Sequence, residues 1–217
     1  RREIEGPFVG AKERRRQERA PIPWPKLSRL CALITLRSWG YSGLIIFLPL
    51  FLREQGIDLS VAGRALFVFL FFGALGGMLG GHLSDRVGRQ QVIATSLLTF
   101  PFLMAAALAL SGPPRWILLA VAGMALLASF SVTVVFAQEL LPQHLGLASG
   151  LTLGLAFGAG GLGVGMSGLM ADLLGLRTSV WMLVFLPGLA GLVALKLRSP
   201  RTRLHEAPAS LPAQAEH

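Results

Sequence analysis

The sequence predicts an all-α membrane protein with six transmembrane helices, and three observations predict it. Of the 217 residues, 53% are hydrophobic and 14% are charged, whereas a soluble domain carries about 25% charged residues. Six apolar runs of about 20 residues follow one another along the chain, each long enough to cross a bilayer as a helix. The basic residues that flank these runs lie mostly on one side of the predicted membrane. The bilayer is therefore the expected solvent and partner of most of the chain.

Short polar breaks that carry Gly, Pro or charged residues separate the apolar runs. The six predicted spans are Leu30–Leu52, Ala62–Leu83, Gln91–Leu110, Trp116–Leu141, Leu147–Leu173 and Ser179–Leu195. They define a transmembrane domain over residues 30–197. We expect residues 1–29 to form a basic cytoplasmic linker and residues 198–217 to form a disordered cytoplasmic tail, because the tail has no apolar period.

The distribution of basic residues predicts the orientation of the spans. Nine Lys and Arg residues precede the first span, two lie between the second and third, and four follow the last, whereas the opposite side has four. Cytoplasmic loops carry the excess of basic residues in membrane proteins. Both termini are therefore predicted to face the cytoplasm, and the net charge of +9 needs no nucleic acid partner.

The first methionine of the sequence is Met78, so we expect a fragment of a longer protein or the product of a gene that has lost its beginning. The single cysteine, Cys31, excludes an internal disulfide and a thiolate metal cluster. We predict no metal and no other cofactor.

An internal repeat relates the first three spans to the last three. A shift of 87 residues without gaps places five glycines on glycines and Asp85 on Asp172. The glycine pairs are Gly63 with Gly150, Gly73 with Gly160, Gly76 with Gly163, Gly81 with Gly168, and Gly88 with Gly175. Because an offset of three spans reverses the direction of the chain in the membrane, the sequence predicts a 3+3 inverted repeat, which is typical of secondary transporters.

The loop between the second and third spans reads Gly-His-Leu-Ser-Asp-Arg-Val-Gly-Arg over residues 81–89. It resembles the signature loop of the major facilitator superfamily, Gly-x-Leu-Ala-Asp-Arg-x-Gly-Arg. The resemblance covers residues 30–197 and implies the C-terminal six-helix half of such a transporter, which works by alternating access with an N-terminal six-helix half that this chain lacks. It also implies a latch on the cytoplasmic side, formed by Gly81, Asp85, Arg86, Gly88 and Arg89.

In the resembling family, the latch aspartate reaches a helix of the other half, where the helix dipole favours an anion. Glu139 lies in a second family-like segment, Glu-Leu-Leu-Pro, at the cytoplasmic end of span four. Leu145 stands where the family has an arginine, so Glu139 is a candidate partner of Arg86 or Arg89. A charged turn and a solvated helix-end carboxylate are the alternative interpretations.

Two further stretches resemble the fosmidomycin-resistance type of drug efflux carrier. They are residues 36–43 running into Phe47-Leu-Pro49, and residues 138–142 running into residues 146–150. This resemblance implies proton-coupled export of a small drug-like or anionic compound across a bacterial inner membrane. A proton-coupling group is usually a buried carboxylate, and no Asp or Glu lies in the middle of a span. The acid is therefore expected in the missing half.

Arg37 is the one charged residue well inside a predicted span. A charge within the membrane is costly and indicates function by default. Tyr41 follows four residues later on the same helical face, and Trp39 lies on another. We predict that Arg37, Trp39 and Tyr41 contact the substrate, with Arg37 binding an anion. In the alternative, the Arg37 side chain extends toward the cytoplasmic end of the helix.

Span five carries a stripe of glycines at helical spacing. Its members are Gly150, Gly154, Gly158, Gly161 and Gly165. Small residues let membrane helices approach closely, so we predict that the stripe packs against another helix.

Other functions remain as alternatives at this stage. The chain can be a truncated relic that does not transport, or a half-size carrier that acts as a homodimer. Residues 165–168, Gly-Met-Ser-Gly, match the motif of rhomboid intramembrane serine proteases. That chemistry requires a histidine within the membrane to activate the serine, and every histidine lies at the loop end of a span, in a loop or in a tail. A channel would need a selectivity filter or a ring of like charges, and the sequence shows neither. We therefore predict that the chain is not an enzyme.

Overall fold

The computed structural model describes residues 24–197, and within this range it consists of six helices joined by short turns. They are α1 Trp24–Glu54, α2 Leu59–Val87, α3 Arg89–Ala109, α4 Pro113–Leu140, α5 Leu145–Leu174 and α6 Leu176–Leu195. All six are long and apolar enough to cross a membrane, which confirms the predicted fold class. The predicted tail and most of the predicted linker lie outside the described residues.

The first helix starts earlier than the sequence predicts. It begins at Trp24 rather than Leu30, so residues 24–29 are helical and continuous with α1. The Nη1 atom of Arg29 donates a hydrogen bond to the backbone oxygen of Lys196, at 3.2 Å. Basic side chains commonly satisfy the last carbonyls of a helix. The early start of α1 thus places the Arg29 guanidinium where it binds the backbone at the end of α6.

Single glycines form the turns from α2 to α3 and from α5 to α6. Gly88 has φ 108° and Gly175 has φ 87°, a left-handed region in which a side chain would be strained. The two glycines are equivalent in the 87-residue repeat, so the repeat extends to the backbone conformation. The turn at Gly88 is shorter than predicted, because Asp85 and Arg86 still lie within α2.

In each half of the repeat, the first helix packs mainly on the second and third helices of the other half. The first helix of the first triplet, α1, packs mainly on α5 and α6 of the second triplet. The first helix of the second triplet, α4, packs mainly on α2 and α3 of the first. This reciprocal arrangement is expected of a 3+3 inverted repeat. The two sets of helices meet mainly through α3 and α6, which pack on each other and are the most buried of the six.

Equivalent glycines make the close helix crossings in both halves. A side chain at Gly73 or Gly76 would meet α4, where the nearest atoms belong to Leu127 and Met124. At the equivalent Gly160 and Gly163 it would meet Ser42 and Trp39 of α1. Small residues therefore permit both crossings.

The predicted glycine stripe of α5 does not take part in these crossings. Gly150, Gly154, Gly158, Gly161 and Gly165 are exposed, and a Cβ at any of them would have no atom of residues 24–197 within 4 Å. Within the described chain, the packed face of α5 lies on the other side of the helix. That the stripe packs against another helix stays a prediction, and that helix would lie outside residues 24–197.

Candidate functional site

Arg37 lies deep inside the bundle. At 1.5 Å per residue it is about 20 Å along α1 from Trp24, and the residue is only 2% exposed. An arginine that extends to the end of its helix would be solvated there. The structure places the guanidinium among packed helices instead, so it does not support the alternative in which the side chain extends outward.

The guanidinium of Arg37 has few polar partners. Nη2 donates a hydrogen bond to Ser38 Oγ at 3.0 Å, and Cζ lies 4.9 Å from the ring centroid of Phe130 on α4, which is a cation–π distance. Nε has no hydrogen-bond partner, and no carboxylate of residues 24–197 pairs with the charge. A buried charge is costly unless it is paired. An anion that enters this site would supply the missing partner.

A cavity of about 240 Å³ lies beside Arg37, between α1, α4 and α5. Its lining comprises Arg37, Ser38, Tyr41, Ser42, Leu127, Phe130, Ala156 and Phe157. Tyr41 shares the cavity with Arg37, as the spacing of four residues predicts. Phe157 is 77% exposed, so the cavity reaches the outer surface of the bundle. One cation, three hydroxyls and three aromatic rings suit a small organic anion with an apolar part.

Trp39 does not line this cavity. Its ring packs against Gly163 of α5, and its Nε1 donates a hydrogen bond to Ser167 Oγ at 2.9 Å. The Ser167 hydroxyl donates in turn to the backbone oxygen of Gly163 at 2.8 Å. The Ser179 hydroxyl of α6 donates to the backbone oxygen of Ser167 at 2.9 Å. The structure thus places Trp39 in a buried polar chain that joins α1, α5 and α6.

The signature loop brings two of its charged groups, Asp85 and Arg89, together with Glu139 of α4. Arg89, the first residue of α3, has Nη2 at 3.0 Å from Glu139 Oε1 and at 3.6 Å from Asp85 Oδ1. Of the two pairings that the sequence allows, the structure has Arg89 with Glu139. Arg86 forms no ion pair with residues 24–197, and the side chain of Asp85 is 68% exposed. Glycine at residue 88 provides the turn that places Arg89 beside the end of α4.

The sequence singles out only Arg37 and Tyr41 among the residues that line the cavity. Ser38 and Ser42 are adjacent to Arg37 and Tyr41 and are themselves four residues apart, so helical spacing could have found them. Phe130 and Phe157 come from α4 and α5. Which residue of one helix faces a given residue of another depends on the inter-helix register, which no spacing within a single helix contains.

Comparison with known proteins identifies the family. The sequence model of the Major Facilitator Superfamily matches residues 30–216. The uncharacterized MFS-type transporter YfnC of Bacillus subtilis (strain 168) is 46% identical over 144 residues, which are 66% of this chain and 35% of that protein. The fosmidomycin resistance protein of Escherichia coli (strain K12) is 35% identical over 190 residues, 83% of this chain and 46% of that protein.

These matches confirm the resemblance to carriers of the fosmidomycin-resistance type, and the chain spans less than half the length of either relative. Both relatives bear the names of transport or resistance proteins and not of enzymes, which removes the serine-protease alternative. The Ser167 hydroxyl itself is held in helix packing. With six membrane-spanning helices and a family match over most of its length, the chain is a multi-pass membrane protein that belongs to the major facilitator superfamily.

Proposed function

We propose that this chain is the C-terminal half of a secondary active transporter that exports a small anionic or drug-like compound by alternating access. An N-terminal six-helix half is its partner, and proton movement drives export across a bacterial inner membrane. The end of the bundle that carries Arg29, Arg86, Arg89 and Lys196, here called the Arg86 end, faces the cytoplasm together with both termini. One observation carries the proposal, namely the buried and unpaired charge of Arg37 in a cavity between α1, α4 and α5.

Arg37 is the substrate-binding cation in this proposal. Its Nε is unpartnered, and its nearest ring, Phe130, stabilises a cation but does not neutralise it. A phosphonate or carboxylate that binds the guanidinium forms charge-assisted hydrogen bonds, which are stronger than neutral ones. Tyr41 supplies a further hydroxyl. The relative named for fosmidomycin resistance suggests this drug as a first compound to test.

The cluster of Arg89, Glu139 and Asp85 acts as the latch of the cytoplasmic side. The Arg89–Glu139 pair holds the start of α3 against the end of α4. Asp85 is bound only loosely by Arg89, at 3.6 Å, and is mostly exposed. Its carboxylate is therefore free to bind a helix of the N-terminal half when the cytoplasmic side closes, and to release it when that side opens.

The proton-binding acid belongs to the other half. The carboxylates of residues 24–197 all lie at helix ends or in turns, namely Glu54, Asp58, Asp85, Glu139 and Asp172. A coupling carboxylate requires an environment that shifts its pKa toward the working pH, which usually means burial. None of these five positions is in the middle of a helix.

Co-expression with a partner half tests the proposal. The N-terminal half of the Escherichia coli fosmidomycin resistance protein is produced together with this chain in cells that lack the intact relative, and fosmidomycin efflux and growth are measured. We expect Arg37→Ala to weaken substrate binding about 10- to 100-fold, because a hydrogen bond to a charged group contributes about 1.5–3 kcal/mol. Arg37→Lys should restore part of the transport, because it keeps the charge without the planar fork.

Arg64→Ala is the matched control, since Arg64 is an exposed arginine at the opposite end of the bundle. It should transport like the unchanged chain. Immunoblots of the membrane fraction establish that all variants insert equally. Equal export by the Arg37→Ala variant would contradict the substrate role of Arg37. Export by this chain expressed alone would favour a half-size homodimer, and no export with the partner half would favour a non-transporting relic.

A further inference from the structure

A second cavity lies on the outside of the bundle, between α2 and α3. Both helices pack along α4 but touch each other little, since they diverge from the turn at Gly88. The space between them is a groove of about 640 Å³ whose floor is α4. Its lining comprises Gly76, Leu79, Gly80, His82, Leu83, Arg86, Val92, Thr95, Ser96, Thr99, Leu103, Val121, Met124, Ala125 and Ala128.

The groove suits an apolar occupant over most of its length. Gly76 and Gly80 bring α2 into direct contact with Met124 and Ala128 of α4, so this part of the lining presents glycine, alanine and methionine rather than polar side chains. The hydroxyls of Thr95 and Thr99 donate to the backbone oxygens of Gln91 and Thr95, at 2.8 and 2.7 Å. These threonines therefore present methyl groups and satisfied hydroxyls, which need no water.

The length of the groove corresponds to one leaflet of a bilayer. From Gly76 to Arg86 the groove runs along about 15 Å of α2, and from Val92 to Leu103 along about 17 Å of α3, at 1.5 Å per residue. The hydrocarbon core of a bilayer is about 30 Å thick, so one leaflet accounts for about 15 Å. An acyl chain of the leaflet at the Arg86 end therefore fits along the floor.

The mouth of the groove carries positive charge. Arg86 and His82 line it at the Arg86 end. Arg86 has no ion pair within residues 24–197, where the closest partner of Glu139 is Arg89. An unpaired guanidinium at the end of an apolar groove is complementary to a phosphate attached to an acyl chain.

The groove opens on the opposite flank of the α2–α4 contact from the substrate cavity. Val121 and Ala125 of α4 line the groove, whereas Leu127 and Phe130 line the cavity beside Arg37. A partner half that covers the Arg37 face leaves this flank to the lipid. We propose that the groove is a binding site for an anionic phospholipid of the leaflet at the Arg86 end, with the phosphate on Arg86 and His82 and an acyl chain on α4.

Native mass spectrometry of the purified 217-residue chain tests this site. The chain in detergent is titrated with phosphatidylglycerol and with phosphatidylcholine of the same acyl chains. We expect a preference for the anionic lipid, and Arg86→Gln should weaken its binding about fivefold, the contribution of one basic residue near an anionic surface. Arg177→Gln, at the opposite end, is the matched control and should leave the affinity unchanged.

A second pair of variants tests the acyl-chain part of the groove. Thr99 is exposed and lines the groove, so Thr99→Trp should fill it and abolish lipid retention. Phe102→Trp changes a residue of the same helix that is 74% exposed and lies outside the groove, and it should retain the lipid. Circular dichroism establishes that each variant keeps its helices.

Three results would overturn the proposal. Equal retention of both lipids by every variant would mean that the bound lipid is a non-selective annulus. A loss with Arg177→Gln but not with Arg86→Gln would place the lipid elsewhere. Displacement of the lipid by the N-terminal half of the Escherichia coli relative would make the groove a protein interface, and this result is distinguishable from a failure of transport because it requires no substrate.

Discussion

Two adjacent glycines of α2 face different environments and provide a sharp test of the fold. A Cβ at Gly80 would lie 2.7 Å from the Cα of Ala128 on α4, and 2.8 Å from its Cβ and its backbone oxygen. A Cβ at Gly81 would have no atom of the described chain within 4 Å. Both glycines are helical, so Gly80→Ala and Gly81→Ala differ only in what the new methyl group meets.

The expected stability difference follows from these distances. Carbon atoms pack at about 3.5–4.0 Å, so Gly80→Ala requires α2 to move away from α4 by about 1 Å. Overpacking of this kind costs about 1–3 kcal/mol. Alanine in place of glycine contributes about 1 kcal/mol of helix propensity at both positions. The Gly80→Ala variant should therefore be about 1–3 kcal/mol less stable than the Gly81→Ala variant.

The free energy of unfolding is measured by titrating each variant with sodium dodecyl sulfate in mixed micelles and following helix content. Gly81→Ala should unfold at the same concentration as the unchanged chain or a higher one, and Gly80→Ala at a lower one. Equal stability of the two variants would refute the close contact between α2 and α4. It would also remove the floor from the proposed lipid groove, because that floor depends on this contact.

Two further substitutions probe the polar contacts, with the same unfolding measurement. Glu139→Gln should destabilise the chain by about 1 kcal/mol, since the pair with Arg89 is partly exposed. In a chain that already carries Arg89→Gln, the same substitution should have little effect. An undiminished effect there would show that the ion pair contributes nothing to stability. Trp39→Phe should cost about 1 kcal/mol by removing the hydrogen bond to Ser167 while leaving substrate binding intact. A loss of substrate binding with unchanged stability would instead indicate that Trp39 contacts the substrate.

The six helices could be predicted from the sequence because the bilayer imposes a length and a composition on each of them. The ends were harder to place. The sequence predicts that the second span ends at Leu83, yet α2 continues to Val87. Polar residues in the last turn of a helix look like a loop in sequence, since helix ends are where charged side chains reach water.

The substrate site was predictable only in part. Arg37 stands out because a charge in a membrane helix is costly, and Tyr41 follows from helical spacing. Trp39 also looked like a substrate contact, yet its ring points toward α5 and packs on Gly163. The neighbours of Trp39 depend on the relative rotation of α1 and α5. That rotation results from tertiary packing and cannot be read from the residues around Trp39 in the sequence.

The glycines of α5 show the same difficulty and add to the case for a partner half. At 100° per residue, the exposed stripe through Gly158 and Gly165 lies almost opposite the buried residues Ala156, Gly160 and Gly163. Both faces consist of small residues at the same spacing, so the sequence does not distinguish which of them packs on α1. A face turned to lipid gains nothing from glycine, whereas a face turned to another helix gains a close approach. A helix with two such faces is built to be packed on both sides. Residues 24–197 cover only the face with Ala156, Gly160 and Gly163, so the second stripe supports the proposed N-terminal half.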